Sequence, residues 1–266
     1  MIKKFADRTP IIFSFVATIL ILAVFSIAQL GFADLFGVDI TDPAPDASFF
    51  TAALLVEALF SGLVMLILVM LKMPSLNNPF KKGFFKGLGL GWFFILTSIV
   101  SFILFFDFSK AGSIEQSKWL LLIPFFFLAL LTGVFEELMC RGILYNVINN
   151  KYKLRAAVLL SAGVFGVVHF INLISQSFAE TAVQVLFAFG AGVLFAAVYA
   201  RCKTVWAGVL LHGLVNFSEY AATTLAPIEK ANETLIAIFE VVFAAAATCI
   251  GLYLTRKKKM ADISST

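Results

Sequence analysis

Apolar runs separated by short polar connections fill almost the whole chain. They lie near residues 11–30, 49–71, 88–106, 119–146, 155–172, 181–200, 204–223 and 234–255. Each is close to the roughly 20 residues that cross a bilayer as a helix. The pattern predicts an all-α, polytopic membrane protein with about eight transmembrane helices in one bundle. The connections leave no room for a separate soluble domain. The first run follows Lys3, Lys4 and Arg8, as a secretion signal would, but it exceeds the roughly 7–15 apolar residues of such signals. It reads as an uncleaved first helix. Residues 75–90 interleave Phe80, Phe84 and Phe85 with Lys81, Lys82 and Lys86, which reads as a short amphipathic piece on the cytoplasmic surface. Gly87, Gly89 and Gly91 do not spell a nucleotide loop, because neither the spacing nor a preceding strand fits.

Composition points the same way. The chain is 61% hydrophobic and 14% charged, against about 45–50% and about 25% for soluble domains. That excess excludes a soluble enzyme, a disulfide scaffold and a disordered chain, and makes lipid the solvent of the outer surface. A net charge of +4 is too small to suggest a nucleic-acid partner. Cys140, Cys202 and Cys249 are far apart and form no C-x-x-C, so neither a disulfide framework nor a thiolate zinc site is expected.

Charge then sorts the connections. In an eight-span arrangement 17 of the 20 basic residues fall on one side, including Arg8, Lys72, Lys86, Lys151, Lys203 and Lys258. The other side holds Lys110, Lys118 and Lys230 with Asp34, Asp39, Asp42 and Asp46. The positive-inside rule makes the first side cytoplasmic and places both termini there. The expected location is the plasma membrane, and the compact loops look bacterial.

An ionisable side chain at the centre of a membrane helix costs about 2.5–3.5 kcal/mol on insertion scales, so each is a functional candidate. The candidates are Glu57, Glu136, Glu137, His169, His212 and Glu240, with the amides Gln184 and Asn216; both histidines of the chain are among them. Glu136 and Glu137 are adjacent and so point about 100° apart on a helix. Glu137 and Arg141 are i,i+4, share a face and form the expected neutralised pair. Glu136 has no cation at that spacing and would point along the face of Cys140. Pro124 would kink the same helix. His212 and Asn216, also i,i+4, address one point of the bundle. Gln184 reads as interhelical glue, Gly190 and Gly192 as close-packing residues, and Glu57 as a supporting or structural carboxylate. The abundant phenylalanines read as lipid-facing bulk.

One carboxylate and two imidazoles suit two chemistries. They bind zinc with a position open for water, or the glutamate acts as a general base without metal. The chain has no H-E-x-x-H and no G-x-S-x-G, so the usual zinc-protease helix and nucleophile elbow are absent. A Cys140 thiol nucleophile is a minor alternative. An ion-coupled transporter also places Glu and His at mid-membrane, but here no inverted partner set occupies the other half of the chain.

In order, these residues spell E-E-x-x-x-R (Glu136, Glu137, Arg141), F-x-x-x-H (Phe165, His169) and H-x-x-x-N (His212, Asn216). The set resembles the CAAX-processing type II family of intramembrane endopeptidases, which also contains bacteriocin-processing and bacteriocin-immunity proteins. The resemblance covers residues 119–223. It divides the chain into N-terminal helices over 1–118, a catalytic core over 119–223, and a last helix with a basic tail over 224–266. It implies a peptidase in which Glu136 activates water. His169 and His212 would complete the water site or, with Glu136, a zinc site. Asn216 would donate to the oxyanion, and Glu137, Arg141 and Phe165 would hold the geometry. It further implies a peptide or membrane-protein substrate and lipid contact, with no nucleotide. A catalytically idle immunity or scaffold protein with the same helices is the runner-up.

Overall fold

A computed structural model describes residues 5–6, 8–38, 47–70, 82–174, 176–228 and 232–256. The helices are α1 Pro10–Leu35, α2 Ala47–Met70, α3 Lys82–Leu90, α4 Trp92–Phe105 and α5 Gln116–Glu137. The last of these runs on through a π-helical segment, Leu138–Tyr145, and the short α6, Asn146–Asn149. There follow α7 Leu154–Val168 with a 3-10 turn His169–Ile174, then α8 Phe178–Cys202, α9 Trp206–Leu225 and α10 Glu233–Leu254. No strand occurs among the described residues.

All eight predicted runs are helical. Local chemistry fixes several ends. Pro10 opens α1, where its missing N–H costs nothing. Ser177 and Glu180 form a reciprocal capping box on α8, and the Asn232 side chain accepts from the Leu235 N–H at the start of α10. The run near 88–106 is two helices, α3 and α4, bent by 52° at Gly91. Among the described residues six helices are long and apolar enough to cross a membrane, or seven if the α3–α4 pair is one broken span. α9 is not among them, which makes the count of eight approximate. His212, Asn216, Ser218, Glu219 and Tyr220 all sit within its 20 residues and dilute its apolar character. The chain is a multi-pass helical membrane protein.

α8 lies at the centre, with 61% of its apolar span buried against 11% for α1. Small residues let the backbones close in. A Cβ on Gly190 would lie 2.5 Å from the Ala244 Cα, which seats α10 on α8. A Cβ on Gly133 would lie 2.9 Å from the Val209 carbonyl oxygen, and one on Gly213 would lie 3.1 Å from the Leu130 Cα. This reciprocal approach draws α5 and α9 together at the level of Glu136, Glu137 and His212. The α3 part of the predicted amphipathic segment packs Gly83 and Gly87 on Cys202 and Ala207. Residues 75–81, like Lys3, Lys4, Lys72, Lys230 and Lys257–Lys259, lie outside the described residues.

Connections predicted on one side of the membrane meet each other. Lys151 Nζ donates to the Arg8 carbonyl, and Gly83 packs on the Cys202 carbonyl. On the opposite side the Asp107 N–H donates to the Ala226 carbonyl at 2.7 Å, and Lys118 Nζ reaches the Leu225 carbonyl.

Candidate active site

Glu136 and Glu137 close α5, and the chain widens into π-helical turns directly after them, with all eight residues of that segment buried. Such turns often occur at functional sites; here the departure from α-geometry falls at residue 138, not at Pro124, which stays inside a continuous helix. The predicted pair forms: Arg141 Nη1 donates to Glu137 Oε1 at 2.8 Å, and both side chains are 1% exposed. Arg141 Nη2 donates to the Gly192 carbonyl at 3.1 Å. The guanidinium lies over the Phe165 ring at 4.7 Å and the Phe195 ring at 5.2 Å. Two hydrogen bonds and two π faces therefore hold one arginine in the dry interior. Gly208 makes room for this unit, since a Cβ there would lie 2.9 Å from Glu137 Oε2.

His212 stands between the two glutamates. Its Nδ1 lies 3.3 Å from Glu137 Oε1 and its Nε2 lies 3.4 Å from Glu136 Oε2. The ring stacks on Phe195 at 5.3 Å. Glu137 is already neutralised by Arg141 and accepts from Nδ1–H, which fixes the tautomer by partner chemistry. Nε2 then faces the Glu136 carboxyl. Nε2 and the Glu136 carboxyl are two acceptors facing each other unless a proton sits between them. Glu136 is not the unpartnered carboxylate the helix spacing predicts. Its partner comes from α9, and its side chain is 24% exposed.

His169 closes α7. Its Nδ1 lies 2.8 Å from the Phe165 carbonyl, an acceptor, so Nδ1 carries the proton and Nε2 keeps the lone pair. The Phe165 ring meets His169 at 5.1 Å and His212 at 6.0 Å, both edge to face, so one ring sets the attitude of both imidazoles. Asn172 Nδ2 donates to Gln184 Oε1 at 2.7 Å and ties the 3-10 turn to α8. Glu136, His169, His212 and Asn216 all line one cavity of about 790 Å³ that extends between α1 and α2. Its volume lies within the range of ligand sites, roughly 300–1,000 Å³. Glu57, buried on α2, lines it too and holds the Thr132 hydroxyl at 3.0 Å.

The structure thus brings every predicted site residue to one place. Three expectations change. Cys140 is fully buried and does not line the cavity. The phenylalanines are not all lipid-facing: Phe94, Phe165 and Phe195 are buried, and Phe94 stacks on Phe195 at 3.8 Å behind His212. Gln184 is interhelical glue and also a cavity wall. Glu136, His169 and His212 share the cavity, but no three His, Cys, Asp or Glu side chains among the described residues are arranged to hold a metal ion. The sequence reading missed Phe195 and Gly208, and it missed Glu219 and Tyr220, which line the cavity. Glu219 was detectable, being one helical turn beyond Asn216 on α9.

Fold and site together define a multi-pass helical membrane protein with a carboxylate–imidazole cluster inside its bundle. Residues 118–218, from the first turn of α5 to the middle of α9, match the family model described as type II CAAX prenyl endopeptidase Rce1-like. All three motifs lie within the match, and the match supports an intramembrane peptidase of this family. No curated protein matches the chain.

Proposed function

We propose that the protein is an intramembrane endopeptidase that hydrolyses a peptide bond with a water activated by Glu136. The observation that carries this reading is the approach of Glu136 Oε2 to His212 Nε2 at 3.4 Å on the cavity wall. A water between Glu136 and a substrate carbonyl gives its proton to the Glu136 carboxylate as its oxygen bonds to the carbonyl carbon. The oxyanion receives a hydrogen bond from the Asn216 amide. The proton held between Glu136 and His212 then passes to the leaving nitrogen, the C–N bond breaks, and a carboxylic acid and an amine result. His169 Nε2, as an acceptor, orients the water. Glu137 accepts from His212 Nδ1–H and holds the ring in place, and Arg141 holds Glu137.

The substrate is a peptide or membrane-protein segment, and the cavity extends toward the helix ends remote from Arg8, Lys151 and Lys203, where Leu30, Val38, Phe49 and Ile174 line it. Purified protein in detergent, incubated with a peptide library and read by mass spectrometry beside Glu136→Gln, tests the reading. Cleavage products lost in the variant support it; no products from the wild type reject it. Exhaustive chelation should leave cleavage intact. Loss on chelation with recovery on adding Zn²⁺ would reject the metal-free route. Cysteines placed at position 258 test the orientation, since labelling from outside intact cells would reverse it.

A further inference from the structure

Glu57 takes no part in the proton transfers above, yet it stands in the middle of α2, is 7% exposed and lines the large cavity. Its Oε1 accepts from the Thr132 hydroxyl at 3.0 Å. Its Oε2 is buried and has no hydrogen-bond partner among the described residues. Thr132 and Glu136 are i,i+4 on α5, so the Glu57 carboxyl lies about one helical turn from Glu136. It is within electrostatic reach of Glu136, His212 and Tyr220. Glu136 and Glu219 are the other carboxylates on the lining, and among the described residues no lysine or arginine lines it.

We infer that Glu57 is a specificity-determining residue, which receives the cationic side chain of a substrate lysine or arginine within about three positions of the scissile bond. The inference rests on the peptidase reading above. Three observations carry it. The first is the free Oε2. A buried carboxylate oxygen without a donor is costly, and a cation supplies donor and charge together. The second is position. An extended peptide advances roughly 3.3–3.6 Å per residue, so a carbonyl held at Glu136 brings the side chain of a near neighbour to Glu57. Thr132 lies on the side of Glu136 toward which the cavity extends, away from the buried π-helical turns. The third is charge. Three carboxylates and no cation on the lining favour a basic segment and oppose an acidic side chain near the cut. Phe25, Val56 and Phe135 on the same lining suit the apolar stem of a long basic side chain.

Purified full-length protein tests this with pairs of apolar peptides that carry Lys or Met at one position within about three residues of the cut. The wild type should favour Lys over Met in kcat/KM by about tenfold or more at one such position, the usual worth of a hydrogen bond to a charged group. It should disfavour Glu there. Glu57→Gln keeps the shape and removes the charge. Its Lys-to-Met ratio should fall to about one, chiefly through a higher KM for the Lys peptide. Glu57→Asp should keep part of the preference. No preference for Lys in the wild type overturns the inference, and so does a preference that Glu57→Gln leaves unchanged. A shifted Tm with an unchanged ratio would make Glu57 a structural carboxyl only. If the wild type cleaves no peptide, the peptidase reading fails, and the affinities of the paired peptides for wild type and Glu57→Gln decide. A tenfold preference for Lys that the variant loses supports the cation site, and equal affinities overturn it.

Discussion

The contact between α5 and α9 has a closed end and an open end, and one peptide bond separates them. At the closed end Glu137 is 1% exposed, bonded to an equally buried Arg141 and flanked by Phe165 and Phe195. At the open end Glu136 is 24% exposed and meets His212 on the cavity wall. The same functional group thus does two jobs. A dry carboxylate locked to arginine has no room for substrate and no freedom to take up a proton from water, so its role is to orient. A carboxylate at a cavity wall beside an imidazole has both. His212 touches both ends, and the orientation set at the dry end reaches the reacting end through its ring.

The largest effects should come from the open end. Glu136→Gln and His212→Ala should each lower hydrolysis by about 10²–10⁴-fold, the usual worth of a general base. The double variant should be little worse than either alone, because the two act as one proton-sharing unit. Single-turnover cleavage assays decide this. Multiplying losses would separate the two residues and remove the shared proton from the mechanism.

At the closed end the expected loss is in folding. Glu137→Ala or Arg141→Ala leaves a buried charge uncompensated and should cost about 3–5 kcal/mol, seen as a lower Tm in detergent. Glu137→Gln combined with Arg141→Met removes both charges and should recover part of that stability. Arg141→Lys should not restore the wild type. A lysine lacks the fork that reaches Glu137 and Gly192 together, and the flat cation that lies over two rings. Equal stability of the Lys variant would mean that charge alone holds the closed end.

How much of this was legible in the sequence follows the range of each interaction. The Glu137–Arg141 pair was readable because i,i+4 geometry is local to one helix. So was the alignment of His212 with Asn216. Helix spacing did not give the partner of Glu136, because His212 lies 76 positions away and the two meet where Gly133 and Gly213 let α5 and α9 close; the three motifs together did assign the two residues to one site. Phe195 was hidden for the same reason: one phenylalanine among 31 carries no local mark of standing behind a histidine. The π-helical segment has no sequence period of its own that differs from the surrounding apolar run. The bend at Gly91 had a local signal in the spacing of Gly87, Gly89 and Gly91, which read as the absence of a nucleotide loop and not as a break between helices.

Gly208 gives an intermediate test. Its Cα side faces Glu137 Oε2, and that oxygen cannot swing away because Arg141 and His212 both hold the carboxylate. Gly208→Ala should therefore cost about 1–3 kcal/mol, the range for overpacking. It should also lower activity, since a displaced Glu137 no longer sets the His212 ring. Gly133→Ala pushes the backbones of α5 and α9 apart and should act in the same direction. Activity at the wild-type level in Gly208→Ala, with stability reduced, would show that the closed end does not position His212.

The smallest expected change is the stability of Glu136→Gln, and it sharpens the comparison most. Glutamine keeps the shape of the side chain, and its amide can still donate to His212 Nε2, so one hydrogen bond replaces another. The group is partly exposed, so no buried charge is stranded. The Tm should move by the equivalent of about 1 kcal/mol or less, within the net worth of one hydrogen bond. Glu137→Gln is the same chemical change one residue along, yet it strands the Arg141 charge in the interior and should melt clearly earlier. Hydrolysis should separate the pair in a different way. Glu136→Gln loses the base outright, whereas Glu137→Gln keeps Glu136 and loses only the orientation of His212. Melting curves and cleavage rates of the two variants side by side give four numbers. If Glu136→Gln is the less stable of the two and Glu137→Gln the less active, the open and closed ends exchange roles, and the proton belongs to Glu137.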